Sequence, residues 1–261
     1  MFILNSNEIK LMLFNITNKI IVVTGGNSGI GLTISKSLIK FGAVVIRLDK
    51  KFKSKTFNVI KKNVTNLDIE IDLSDTKKIP NLLKKIKKNF KRIDGLINCH
   101  GITKEINNNT DLSKNFDETI NNNLKSTFVL SSLVCKQMSK KNGGSVVNIT
   151  SLGAHLGFPN NPSYQMSKAG VRQLTKSLAI DWGKKLVRVN NICPGYIKST
   201  MTMKSYKNSQ TYKKRLDRMM LNRWGTSEDI VGATIFLISD ASSYITGSDI
   251  FVDGGWAAKG L

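Results

Sequence analysis

Residues 164–168 read YQMSK, which puts a phenol and an ammonium four positions apart in a segment with helical periodicity. At that spacing the two side chains share one helix face. A free phenol has a pKa near ~10 and seldom ionises at neutral pH. An ammonium one turn away favours the phenolate and draws that pKa towards neutrality. Such a phenol can give a proton to a carbonyl oxygen or take one from an alcohol. Taken alone, the pair also fits two ordinary residues of a helix surface.

The stretch TGGNSGIG at 24–31 bears on that choice. It follows the apolar run IIVV and precedes an amphipathic segment, the placement expected of a phosphate-cradling turn. Gly25, Gly29 and Gly31 would let the turn close, let backbone approach a pyrophosphate, and let helix and strand pack tightly. The helix start would offer free N–H groups and a positive dipole end to the phosphates. Eighteen residues beyond Gly31, the apolar run AVVIRLD ends in Asp49. A carboxylate there accepts from ribose hydroxyls and repels a 2′-phosphate, which favours NAD over NADP. Ser28, where a basic residue would favour NADP, leans the same way. Arg47, Lys50 and Lys51 are close enough to pair a 2′-phosphate if one reoriented.

The elements that must hold these residues follow a strict rhythm. Val- and Ile-rich runs at 19–26, 43–49, 67–73, 94–101, 145–151, 187–195 and 249–255 alternate with segments of helical character. The long stretch 116–141 and the segment carrying YQMSK are two of the latter. Apolar runs without polar alternation indicate a sheet buried on both faces. The expected fold is α/β: one domain, a Rossmann-type doubly wound parallel sheet with helices on both faces. A basic, strandless stretch at about 198–222 interrupts the rhythm. It is either a substrate lid or a surface helix pair.

Composition excludes several other classes. The 261-residue chain is 40% hydrophobic, enough for a sizeable core, and has no apolar run of membrane-spanning length. Its net charge of +22 is spread over most helical segments and lacks the interleaved aromatics of a stacking platform, so no nucleic-acid partner is expected. Cys99, Cys135 and Cys193 have no metal-ligand spacing. No metal is expected, and free thiols with no evident leader indicate the cytoplasm.

From about Met12 to Leu261, this set of motifs resembles the short-chain dehydrogenase/reductase family. The carrying features are the loop at 24–31, Asp72 after the third strand, the signature at 98–101, Asn148–Ser151, Tyr164-x-x-x-Lys168, Pro194-Gly195 with Thr200, and the tail SSYITGSDIFVDGG. The resemblance implies hydride transfer between a nicotinamide cofactor and a secondary alcohol or ketone. Ser151, thirteen residues before Tyr164, would hydrogen-bond the reacting oxygen. Lys168 would hold the nicotinamide ribose as well as tune Tyr164. Asn123, chosen among three consecutive asparagines by the following LKSTF, would keep a helix bend and a relay water. Cofactor contacts are implied for Gly25, Asn27, Ser28, Gly29, Ile30 and Gly31, for Asp49, Asp72 and Leu73, and for Asn98 and Gly101. They extend to Tyr164 and Lys168, and to Pro194, Gly195, Ile197 and Thr200.

Two departures accompany the resemblance. The family's Asn-Asn-Ala-Gly reads Asn98-Cys99-His100-Gly101. His100 therefore either touches substrate or cofactor or is a packing change, with the second favoured. Residues 1–11 precede the family-like start and are expected to be an extension without structure of their own. His155 receives no role. The last third most resembles members acting on sugar acids and polyols, such as gluconate 5-dehydrogenases. The alternative is a 3-oxoacyl-[acyl-carrier-protein] or general ketone reductase. By resemblance the chain forms a homotetramer or homodimer through the long helices and the last strand.

Overall fold

A computed structural model describes residues 13–52, 66–141 and 143–259. The expected extension at 1–11 lies outside these residues. Seven strands form one parallel sheet: β1 Ile20–Thr24, β2 Val44–Asp49, β3 Leu67–Glu70, β4 Gly95–Asn98, β5 Gly144–Ile149, β6 Val187–Pro194 and β7 Asp249–Val252. Their order is β3-β2-β1-β4-β5-β6-β7, and every pairing is parallel. This is the doubly wound sheet that the alternating runs indicated.

The helices are α1 Gly29–Lys40, α2 Ile79–Asn89, α3 Leu112–Ile120, α4 Ser126–Met138, α5 Pro162–Gly183, α6 Met203–Lys207, α7 Ser209–Leu216 and α8 Asp229–Ile238. Neighbouring strand residues point to opposite faces, and both faces are covered. Val22, Ile46, Leu96 and Val146 pack with α2, α4 and α5. Ile21, Val23, Val45, Ile97 and Val147 pack with α1 and α8. Hence the absence of polar alternation in the sequence.

The stretch 116–141 is not one regular helix. A π-helical turn, Asn121–Lys125, separates α3 from α4 and buries Asn123. Such turns insert one residue into the hydrogen-bond ladder and recur at functional sites. Winding reverses between β1 and β4, and in open α/β sheets the crevice beyond the strand ends there receives the ligand. The stretch 198–222 folds into α6 and α7 beside that crevice.

Candidate active site

A cleft of about 560 Å³ opens where β1, β2, β4, β5 and β6 end, walled on one side by α5 and by residues of α6 and α7. Its floor is the loop between β1 and α1. Gly25 has φ +64° and Gly29 φ +49°, left-handed conformations that favour glycine. A Cβ on Gly31 would stand 2.2 Å from the Gly25 carbonyl oxygen, so only glycine lets helix and loop pack this closely. Ser28 is the N-cap of α1, yet its side chain makes no capping bond. The first N–H groups of α1 and the Ser28 hydroxyl are therefore unclaimed by a side-chain cap at the cleft floor. This cradle fits a dinucleotide pyrophosphate.

Asp49 marks the far end of the cleft. Its carboxylate accepts from the Asn27 N–H at 3.0 Å and the Lys50 N–H at 2.8 Å. Two of the three basic residues that could have countered it, Arg47 and Lys50, are engaged. Arg47 is buried and forks onto Asp68 on β3, with Nε–Oδ1 2.7 Å and Nη2–Oδ2 2.6 Å. Lys50 pairs with Asp72 at 3.1 Å. Asn27, Asp72 and Asn98, implied as cofactor contacts, are not among the cleft-lining residues. Gly25, Ser28, Gly29, Ile30, Gly31, Asp49, Leu73 and Gly101 are, as are Pro194, Gly195, Ile197 and Thr200.

Ser151, Tyr164 and Lys168 meet on the opposite wall. Ser151 follows β5, its Oγ accepts from the Gly153 N–H at 3.1 Å, and its hydroxyl is near enough to the Tyr164 phenol to favour the phenolate. Pro162 begins α5, where a missing N–H costs nothing. Tyr164 and Lys168 stand on its first turns, with Lys168 Nζ 5.9 Å from the Tyr164 ring centroid. Lys168 is 6% exposed and donates to the Ile149 carbonyl at 2.8 Å.

The electrostatics correct one expectation. Burial pushes the Tyr164 phenol above its ordinary pKa, and the nearby Ser151 hydroxyl opposes only part of that rise. Burial also brings Lys168 down to about 8, since an ammonium loses hydration there without gaining a carboxylate. The lysine is turned to a backbone carbonyl and does not offset the desolvation of the phenol.

Asn123 stands behind this wall, not on it. Its Nδ2 donates to the Ile102 carbonyl at 2.9 Å and to Ser167 Oγ at 3.0 Å, and its Oδ1 accepts from the Ile102 N–H. The π-turn thus clamps the loop after β4 to α5. A Cβ on Gly101 would come within 3.2 Å of that Oδ1.

The comparisons with known proteins bear on the same constellation. A family model described as enoyl-(acyl carrier protein) reductase matches residues 25–257. A 2-dehydro-3-deoxy-D-gluconate 5-dehydrogenase of Dickeya dadantii is 33% identical, covering 95% of this chain and 99% of that protein. An NAD-dependent glycerol dehydrogenase of Listeria innocua is 31% identical over 94% of this chain and 96% of its own length. The crystal structure of a gluconate 5-dehydrogenase from Burkholderia cenocepacia, in complex with NADP and tartrate, superposes with a TM-score of 0.90. Its identity is 25%, and the match covers 96% of this chain and all of that one. This chain belongs to the short-chain dehydrogenase/reductase family. It is a nicotinamide-dependent oxidoreductase acting on CH–OH groups.

Within that short-chain dehydrogenase frame, His100 lines the cleft, and its ring is tied into the scaffold. Thr24 Oγ1 accepts from the Cys99 N–H and lies 2.6 Å from His100 Nδ1, while His100 Nε2 lies 2.7 Å from Ser126 Oγ. Both ring nitrogens are spent joining the end of β1 to the start of α4. Asn98 bridges the sheet, donating to Asn148 Oδ1 at 2.7 Å and Ser131 Oγ at 2.8 Å.

Three features escaped the sequence reading. The Asn98 bridge continues from Asn148 through Thr175 and Asn191 to Asp249, which Arg172 closes at 2.7 Å. This polar ladder fixes α5, and with it Tyr164 and Lys168, to β5, β6 and β7. His155 Nε2 lies 3.4 Å from Cys193 Sγ and 3.6 Å from Asp249. The three could hold a metal ion, but Arg172 already occupies the carboxylate. The third is an aromatic cluster of Phe158, Tyr196, Tyr206, Tyr212, Trp224 and Trp256 beneath α6 and α7. Only the scattered aromatics of 196–224 could have signalled it.

Proposed function

We propose that this chain interconverts a secondary alcohol and a ketone on a sugar, sugar acid or polyol, with NAD as its cofactor. The observation that carries the reading is that Ser151, Tyr164 and Lys168 line the same cleft as the glycine cradle. Tyr164 gives its proton to the carbonyl oxygen in reduction, and burial keeps the phenol protonated for that role. Ser151 donates to the same oxygen and stabilises charge developing there. Lys168, buried without a carboxylate partner, serves the nicotinamide ribose hydroxyls. Thr200, Ile197 and the Pro194-Gly195 turn serve the carboxamide end. Asn123 holds the wall in register. When bound, the nicotinamide supplies or accepts the hydride. Residues 198–222 act as the substrate lid.

NAD is favoured because Asp49 presents a carboxylate to the adenosine ribose while Arg47 and Lys50 are held by Asp68 and Asp72. The named relatives divide, one described with NAD and one bound to NADP. Free Cys99, Cys135 and Cys193 support a reducing, cytoplasmic setting. Among the described residues, no helix is long and apolar enough to cross a membrane. We also infer no nucleic-acid partner and a homotetramer or homodimer.

The test follows nicotinamide absorbance with NAD and with NADP over sugar acids, polyols and 3-hydroxyacyl thioesters. NAD-linked turnover of a sugar acid or polyol is expected, falling at least about 100-fold in Tyr164→Phe. Turnover confined to NADP and acyl thioesters would sink the reading in favour of an acyl-carrier reductase.

A further inference from the structure

Arg215, on α7, lines the same cleft as Tyr164. Its guanidinium carbon sits 4.2 Å from the centroid of the Tyr196 ring and 5.9 Å from that of Trp224. Tyr196 in turn lies within electrostatic reach of the Tyr164 phenol. Tyr196 packs on Trp224 and Trp256 at 5.3 and 4.9 Å between centroids, so the platform under the arginine is braced.

This cation has no carboxylate of its own within ion-pair distance among the described residues. Arg47, Arg92, Arg172 and Arg223 have one, and of the other arginines, Arg188 and Arg218 do not line the cleft. Two acids line the cleft, Asp49 and Glu105. Asp49 is tied to the glycine loop at the end of β2, four strands from β6, roughly 19 Å at the usual strand spacing. Glu105 is exposed on the loop after β4. Within the aromatic cluster the buried Trp224 indole N–H also lacks an acceptor. A guanidinium stacked by one face on an aromatic ring still offers its N–H fork at the edge, the geometry that takes a carboxylate by two parallel hydrogen bonds.

We propose that Arg215 is the carboxylate anchor of the substrate site. The chain thereby selects hydroxy acids of the sugar-acid class over neutral polyols, with the acid group on Arg215 and the reacting CH–OH at Ser151 and Tyr164. This rests on the dehydrogenase reading above and narrows its substrate. The arginine stands in the segment after β6, so the lid carries the specificity group to the fixed wall that carries the proton donor. Lysine at this position keeps a charge but loses the planar fork and part of the stack.

The experiment compares the full chain with Arg215→Met and Arg215→Lys. The first readout is the ratio of kcat/KM for D-gluconate to that for a neutral polyol, both with NAD. The second is D-gluconate binding without turnover, followed by fluorescence of Trp224 and Trp256. In Arg215→Met the acid-over-polyol ratio falls about 10- to 100-fold, and gluconate binding weakens by a similar factor. Arg215→Lys recovers part of both. An equal loss on acid and polyol, as a merely structural role produces, overturns the proposal. So does gluconate binding that ignores the substitution, or its absence from the unaltered protein. Gluconate that binds through Arg215 but is never turned over upholds the anchor and refutes sugar-acid oxidation instead.

Discussion

The imidazole of His100 sits between two hydroxyls, and their other partners fix its state. Thr24 Oγ1 accepts from both the Cys99 and His100 N–H groups, which takes up its lone pairs, so it donates to Nδ1. Ser126 Oγ donates to the Asn122 carbonyl, so it accepts from Nε2–H. The ring is the neutral Nε2–H tautomer. Burial, followed by the nearby Lys168 charge, holds its pKa down to about 3, against an ordinary 6.5. Below pH 6.5 the unfolded chain takes up a proton that the folded chain refuses, so stability falls as the pH drops from 6.5 towards 3. Replacing the ring with an amide in His100→Gln removes that uptake. Urea unfolding from pH 7 to pH 4 should cost the unaltered protein up to about 3 kcal/mol more than the variant. Parallel pH profiles would mean that the ring is not held neutral.

At the scale of elements, what could be read from sequence was what depends on local pattern. The strand runs, the glycine loop before α1, and the one-turn spacing of Tyr164 and Lys168 each leave a period or a fixed offset. The π-turn at Asn121–Lys125 leaves neither, because an inserted residue looks like more helix. The ladder from Asn98 to Arg172 joins residues up to 151 positions apart, built of ordinary Asn and Thr whose partners exist only once the sheet forms. The pKa of Tyr164 is out of reach of local pattern for the same reason. Spacing gives the neighbouring charge, while burial belongs to the tertiary fold. Glycines separate local from tertiary demands in a measurable way. In Gly31→Ala the new methyl meets the Gly25 carbonyl at 2.2 Å, so the loop must open. Dinucleotide affinity, by cofactor fluorescence, should fall at least about tenfold. In Gly232→Ala, within α8, the methyl meets nothing within 4 Å. There the variant should be more stable by about 0.8 kcal/mol in urea unfolding, through helix propensity alone. Equal effects at the two sites would refute the cradle argument.

At the scale of the whole molecule, charge and association oppose each other. Each chain carries +22, and exposed lysines on α2 and α7 contribute to it. Yet α3, α4 and α5 leave Leu112, Phe116, Phe128 and Ile180 exposed, and Phe251 on the edge strand β7 is 41% exposed. Apolar side chains of this size favour being covered, at roughly 25 cal/mol per Å². A homotetramer would gather four times the charge of one chain, and repulsion between copies acts over a Debye length of about 10 Å at 0.1 M salt. Raising the salt shortens that range and leaves apolar burial intact. Association of this chain should therefore strengthen with salt, the reverse of a complex held by ion pairs. Sedimentation velocity at about 20 mM and about 300 mM NaCl should show the larger species gaining at the higher concentration. Phe128→Glu should shift the balance towards monomer at both. If added salt instead dissociates the assembly, the interface is electrostatic, and the apolar faces of α3, α4 and α5 are not what joins the copies.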